Sequence, residues 1–324
     1  MKKALIVGID NYNSDRLNLS SCINDATSMA ELLERHENGE LNFEVKLEKD
    51  LQGISTLREH IKKCFNDGDC ETALFYFSGH GSINEFGGEL ILADYVKSNI
   101  GFSMNDILTA VNNSKAQNKI VILDCCHAGY VGSLPTSGQA AVIENGVTIL
   151  TACKSEEYSL AGNKFSLFTS LLLEALRGGA ADIMGHITLG GIYSYIDKSL
   201  GSWGQRPLFK TNVSRFMSLR ETTPHIDTKI IRNLTKYFAK PNETLELDPS
   251  FEETNTLDTT HILAEPYANK ENVKIFKELQ KLESIGLIIP TDTEHMYYAA
   301  MESKGCKLTL LGQHYWTLVK NKKI

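Results

Sequence analysis

The sequence predicts an α/β protein: a mostly parallel sheet with helices on both faces, followed by a small α+β domain. Three observations predict it. Residues 120–123 (Ile-Val-Ile-Leu) and 72–77 (Thr-Ala-Leu-Phe-Tyr-Phe) are uninterrupted apolar runs of strand length, as buried strands are. Segments with helical apolar spacing alternate with such runs, and strands alternating with helices imply a mainly parallel sheet. From about Glu221 the composition changes, which divides the chain into 1–222, a linker and helix over 223–260, and a compact tail over 261–324.

Taken in order, residues 3–9 form the first strand. The start Met1-Lys2-Lys3 followed by an apolar run has the outline of a signal peptide, but the run is short and Asp10-Asn11 stand where a small-residue cleavage site would. Residues 10–19 are a polar loop. Residues 22–36 have helical spacing, with Ala26, Met29, Ala30, Leu32 and Leu33 on one face, ended by Asn38-Gly39. A short strand follows at 43–47. Ser55 reads as the N-cap of a helix over 55–65 that turns Leu57, Ile61, Cys64 and Phe65 inward.

After the strand at 72–77 come a short strand or hairpin arm at 89–93, a helix opened by Ser103 and running through Val111, and the strand at 120–123. Residues 130–145 are polar with Gly, Ser and Pro, a loop. A strand at 147–152, helices at 166–177 and 188–200, and a last segment at 201–211 complete the larger part. Gly178-Gly179 stops the first of these helices. Beyond it, one helix is expected at 228–239 and an acidic, Thr-rich stretch at 242–258. In the tail, Val273, Phe276, Leu279, Leu282 and Ile285 fit a helix ended at Gly286; residues 287–289 and 296–301 are expected to pair; and Leu308-Thr309-x-x-Gly312 opens a closing helix. Helix, short hairpin, helix is the outline of a winged helix.

The 324 residues carry a formal net charge of -7, which argues against non-specific nucleic-acid binding by the whole chain. Hydrophobic content of 42% and charged content of 23% are those of a soluble globular protein, and no apolar run is long enough to span a bilayer. Seven cysteines without C-x-x-C pairing point to reduced thiols, a cytoplasmic setting and no structural zinc.

Chemistry gathers where two strands end. The strand at 72–77 leads into Ser78-Gly79-His80-Gly81, and that at 120–123 into Asp124-Cys125-Cys126-His127-Ala128-Gly129. A Cys at the carboxyl edge of a buried strand lies where open α/β sheets hold ligands. If the strands are neighbours, an imidazole meets a thiol, the pairing of a Cys/His nucleophile. Gly79 and Gly81 leave room beside the imidazole for a substrate backbone.

These two motifs resemble those of the caspase-like cysteine peptidases, in particular the metacaspase and bacterial orthocaspase branch, with Ala128 where Ser is more usual. In caspases the His lies about 50 residues before the Cys; His80 precedes Cys126 by 46. Three further stretches, Ser21-Cys22-Ile23-Asn24-Asp25-Ala26, Leu150-Thr151-Ala152-Cys153 and Gly204-Gln205-Arg206-Pro207, look family-like, so the resemblance spans roughly residues 1–215. It implies a caspase-hemoglobinase-like fold and endopeptidase activity. Cys126 would be the nucleophile and His80 its proton partner, with Cys125 a non-catalytic neighbour. By the same analogy the backbone N–H groups of Gly81 and Cys126 form the oxyanion hole.

Asp25 and Asp124 fall where that family places the acids of its S1 pocket. Two carboxylates select a basic side chain, so the expected cleavage is after Arg or Lys rather than after Asp. His127, His36, His186 and His314 receive no role. No cofactor is expected. Calcium, which many metacaspases need, wants six or more oxygens, and Glu85, Glu89 and Asp94 are too few. Self-cleavage within 130–145 is not expected, since that loop has no Lys or Arg; Lys154 and Lys164 are the nearest basic positions.

The expected partners are a protein or peptide substrate and a regulatory protein acting through the tail, with neither nucleic acid nor membrane. The architecture suggests a regulated bacterial signalling or defence protease. Two rivals are a catalytically silent scaffold and a DNA-binding regulator acting through the lysine-rich tail. Intact His80, Cys126, Asp25 and Asp124 disfavour the first, and the absence of an Arg cluster disfavours the second.

Overall fold

The computed structural model describes residues 1–66, 70–85, 87–96, 101–125, 143–152, 165–200, 207–257 and 263–324. The chain divides into two compact units, Met1–Thr223 and Pro224–Ile324.

In the first unit the order is β1 (Lys2–Gly8), α1 (Cys22–Glu34), β2 (Glu44–Lys49), α2 (Ile54–Asn66), β3 (Thr72–Ser78), β4 (Gly81–Asn84), β5 (Gly87–Leu90), β6 (Phe102–Ser103), α3 (Met104–Asn112), β7 (Asn118–Asp124), β8 (Val147–Thr151), α4 (Leu167–Glu174), β9 (His186–Thr188), α5 (Leu189–Leu200), β10 (Leu208–Asn212) and β11 (Ser218–Glu221). Six strands form one sheet in the order β10-β8-β7-β3-β1-β2. Every neighbouring pair is parallel except β10 against β8. Strand order reverses between β1 and β3, and at such a switch point open α/β sheets take their ligands beyond the carboxyl ends of the strands. Short sheets β4-β5-β6 and β11-β9 stand apart from it.

The period of two explains the two cores. Along β3, Ala73, Phe75 and Phe77 join one cluster with Leu57 and Ile61 of α2 and Ile107 and Val111 of α3. Leu74 and Tyr76 join the other, with Met29 and Leu33 of α1, Leu172 of α4 and Ile192 of α5. With both faces covered, all seven residues of β3 are buried, which is why its sequence does not alternate.

Helix starts follow their caps where a side chain can reach the first turn. Ser103 Oγ accepts from the Asn105 N–H, and Ser166 Oγ from that of Thr169. Ser55 differs from its expected role: α2 begins at Ile54, directly after Gly53 at φ +83°, so Ser55 lies within the first turn.

The second unit contains α6 (Thr228–Arg232), α7 (Leu234–Tyr237), β12 (Thr244–Glu246), α8 (Lys270–Ser284), β13 (Ile288–Pro290), α9 (Met296–Met301), β14 (Gly305–Leu308) and α10 (Leu310–Lys320). Its sheet has the order β12-β14-β13, antiparallel throughout. Three expectations are corrected here. Residues 296–301 are a helix, not the partner of β13, because Met296, Ala299 and Ala300 are buried at helical spacing. The strand that pairs with β13 is β14. The stretch read as linker and helix supplies two short helices in place of one, and its β12 joins this sheet. Among the described residues no helix is long and apolar enough to cross a membrane.

Gly8 ends β1 where α1 crosses it. A Cβ there would stand 2.4 Å from the Cys22 carbonyl oxygen and 2.6 Å from Ala26 Cβ. Gly8→Ala is expected to destabilise the chain by about 1–3 kcal/mol through overpacking, measured as a lower urea midpoint at unchanged m-value. An unchanged midpoint would show that the strand and helix can separate freely.

Candidate active site at the carboxyl edge of the sheet

The register of β3 and β7 sets Ser78 opposite Asp124, and that of β1 and β3 sets Gly8 opposite Ser78. Three adjacent strands therefore finish at one level. The Gly79 N–H donates to the Asp124 carbonyl at 3.3 Å and the Ile9 N–H to that of Ser78 at 3.0 Å. Chemistry-bearing residues lie just past this line.

Asp25, one turn into α1, is fully buried. Its Oδ2 accepts from Ser78 Oγ at 3.1 Å and its Oδ1 from the Ser166 N–H at 3.2 Å. Asp124 Oδ2 accepts from Thr169 Oγ1 at 2.7 Å and also from Ser166 Oγ. Thr169 has spent its proton on Asp124, so in its 2.6 Å contact with Tyr76 the phenol donates. Ser166 thus bridges the two acids, one through its amide and one through its hydroxyl. Every donor recorded to either carboxylate among the described residues is neutral.

Burial among neutral donors disfavours the charged form. Burial, then the Asp124 charge, pushes the Asp25 carboxyl up to about 8. Burial also raises Asp124, opposed by its bonds from Ser166 and Thr169. With no counter-charge bonded to either acid among the described residues, Asp25 keeps its proton into the neutral range.

His80 follows β3 by two residues. Its Nε2 is 2.8 Å from the Leu17 carbonyl oxygen, which can only accept. Nε2 therefore carries the proton, and in the neutral ring Nδ1 is the nitrogen able to take one. The His80 backbone N–H donates to the Tyr12 hydroxyl at 2.9 Å, and the His80 carbonyl accepts from Ile91 at 3.0 Å. Gly81 opens β4 immediately afterwards, in register with Leu90.

Gly79 differs from its expected role. A Cβ there would lie 2.9 Å from the Phe77 ring and 3.0 Å from the Tyr12 hydroxyl, so the missing side chain makes room for protein. Cys126, His127 and the rest of 126–142 lie outside the described residues, as do Cys153, Lys154, Lys164 and 201–206. Cys125, the last described residue before Cys126, is buried. Cys22, also near the acids, is unsuited to nucleophilic work, because burial pushes its thiol far up.

The oxygens considered for calcium are engaged or apart. Glu89 accepts from the Gly101 N–H at 2.5 Å and from Asn84; Asp94 accepts from the Gly53 N–H at 3.1 Å; Glu85 is exposed. Among the described residues no group of three or more His, Cys, Asp or Glu is arranged to hold a metal ion.

Tyr12, Leu17, Ser78, Ser166 and Thr169 were not assigned site roles from sequence. Ser166 was visible only as a helix start, and Tyr12 and Leu17 only as part of a polar loop.

The family model described as "Caspase domain", peptidase family C14, matches residues 1–212. The chain therefore belongs to the caspase-domain family, whose activity is that of a cysteine-type peptidase. A comparison with curated proteins returns no match. Among solved structures, a structural-genomics target from Geobacter sulfurreducens aligns with a TM-score of 0.48 at 15% identity, over 69% of this chain and 98% of its own. Caspase-1 from Spodoptera frugiperda aligns with a TM-score of 0.47 at 16% identity, over 69% and 92%.

An acid raised on folding binds more protons folded than unfolded, so stability falls as pH rises between its two pKa values. The chain is expected to lose unfolding free energy between the ordinary Asp range near 4 and about 8. Asp25→Asn is expected to lose less over the same window, followed by urea midpoints at stepped pH. Parallel profiles for the two proteins would refute the raised Asp25 carboxyl.

Proposed function

We propose that the chain is a cysteine endopeptidase of the metacaspase and orthocaspase branch that cleaves polypeptides after Arg or Lys. The observation that carries this reading is the pair of carboxylates, Asp25 fully buried and Asp124 half-buried, which among the described residues accept only from neutral donors, at the same sheet edge as an imidazole whose Nε2 is already committed. A guanidinium or ammonium entering there supplies the missing counter-charge, and Arg offers two parallel donors for it.

In this reading the Cys126 thiol gives its proton to His80 Nδ1, and the thiolate attacks the scissile carbonyl carbon. The oxyanion is met by the backbone N–H groups of Gly81 and Cys126. His80 returns the proton to the leaving amine, and water, deprotonated by the same imidazole, releases the acyl group. Register supports the pairing: Ser78 and Asp124 are opposite, and His80 and Cys126 each follow by two residues.

The chain acts, in this proposal, as a cytoplasmic bacterial signalling or defence protease governed by a protein partner at the second unit. What supports a partner surface is a cleft of about 460 Å³ in which Lys270, Lys274, Lys277 and Lys281 stand with Glu253 and Glu278 around Ile230 and Val273. We read that unit as winged-helix-like, on the strength of α8, α9 and α10 around its three-stranded sheet.

Matched fluorogenic peptides ending in Arg, Lys or Asp test the reading. Turnover after Arg and Lys that vanishes in Cys126→Ala is expected, with none after Asp; preference for Asp would sink the pocket assignment. Asp25→Asn is expected to lower kcat/KM for the Arg peptide by about 100-fold, since it strips one charge from a buried ion pair. Because Asp25 must shed its proton before it can pair with a cation, KM for the Arg peptide is expected to fall as pH rises towards about 8. A KM that rises over that range would contradict it.

A further inference from the structure

The loop between β1 and α1 reaches His80 twice. At one end the Leu17 carbonyl accepts from Nε2 at 2.8 Å. At the other, Tyr12 meets both the backbone and the ring. Its hydroxyl accepts the His80 N–H at 2.9 Å, and its ring lies 5.1 Å from the imidazole, centroid to centroid, inclined at 51°. Tyr12 is 6% exposed, and its oxygen occupies the space that a side chain on Gly79 would need.

The two ends of the loop are joined to each other. The Tyr12 N–H donates to Asn18 Oδ1 at 2.8 Å, and Asn18 is the residue next to Leu17. The neighbouring Asn13 N–H donates to the Ala93 carbonyl at 2.9 Å, three residues past the β5 end that also bonds the His80 carbonyl through Ile91.

A single ring N–H bond fixes one point of an imidazole and leaves it able to swing about its own backbone. Fixing the backbone amide and one ring face removes that freedom. The geometry points to Tyr12 as a positioning residue for His80, with Asn18 as the brace that keeps Tyr12 and the Leu17 carbonyl in step. This rests on the proposed Cys126–His80 pairing. The role needs no charge on the phenol: burial holds its proton on, so the oxygen accepts from His80 as a neutral group.

The alternative is that Tyr12 only fills the core, so the test reads orientation as well as rate. In the full-length chain, Tyr12→Phe keeps the ring and removes the hydroxyl. Asn18→Ala alters an exposed residue and leaves the core intact. Each variant and the wild type are followed by kcat and KM on the Arg peptide, by the pH profile of kcat, and by long-range proton–nitrogen NMR of the His80 ring, assigned with His80→Gln.

Tyr12→Phe is expected to lower kcat about ten-fold, as misplacement of a reacting group does. KM should stay within about two-fold, since the lost interaction serves the chemical step. The acid limb of the pH profile should move, and the single Nε2–H tautomer should become a mixture. Asn18→Ala should move every readout in the same direction by less. Wild-type kcat with an unchanged His80 spectrum overturns the proposal, and so does a loss of kcat with the tautomer intact. If the wild type cleaves no peptide without its partner, the tautomer comparison alone upholds or overturns the positioning role.

Discussion

The register between β3 and β7 is the constraint on which the rest of the site depends. Because Ser78 stands opposite Asp124, the two strands end together and the Ser78 hydroxyl is on the side that meets Asp25 from α1. A slip of one residue would send every side chain of β3 to the opposite face, exchanging Phe75 and Phe77 for Leu74 and Tyr76 in two cores of different shape. Packing on both faces therefore holds the register, and the register places the carboxyl-edge residues. The site inherits its precision from the least polar part of the molecule.

Two carboxylates at such a place are a standing cost. Each unpaired buried charge is worth several kcal/mol, and loss of even one hydrogen bond to it about 1–3 kcal/mol. The chain meets this with neutral donors: two serines, a threonine and one amide at the start of α4. That helix end is a favourable site for negative charge in its own right. Even so, burial leaves both acids raised, so the compensation is partial. A site that is under-compensated when empty favours a ligand of opposite charge, whereas a full ion pair built into the protein would close it. Sequence alone could not show this balance, because the bridging Ser166 is 141 residues from Asp25.

Legibility followed the range of the interaction. The strands of the sheet were readable because burial on both faces demands continuous apolar runs, and the helix starts at Ser103 and Ser166 because a cap acts over three residues. Where two local patterns compete, reading failed: Met-Tyr-Tyr-Ala-Ala-Met at 296–301 is short and apolar enough for a strand, and only packing of Met296, Ala299 and Ala300 decides for a helix. The three-residue strand β12 exists only because β14 lies beside it. In the site, His80 is legible from its place at the end of a buried strand, and Asp25 and Asp124 through the resemblance, while Tyr12 and Leu17 are hidden in a loop whose polarity says nothing of its contacts. Gly79 shows the same limit. Its motif suggested space for a substrate, and the space belongs to Phe77 and Tyr12.

That loop does more than hold His80. Asp10 at its start accepts from the Cys22 and Ile23 amides at 2.9 and 3.2 Å, capping α1 from twelve residues away. Its own amide donates to Asp50 at 2.9 Å, and its carbonyl accepts from Leu19 at 2.8 Å. Asp25 rides on α1 a single turn beyond that cap. The connection between β1 and α1 therefore bonds both the helix that carries Asp25 and, through Tyr12 and Leu17, His80. The acids and the base are otherwise far apart in sequence and belong to different elements. In the proposed reading, the acid that would meet the substrate's charge and the ring that would receive the thiol proton are thus bonded to the same loop.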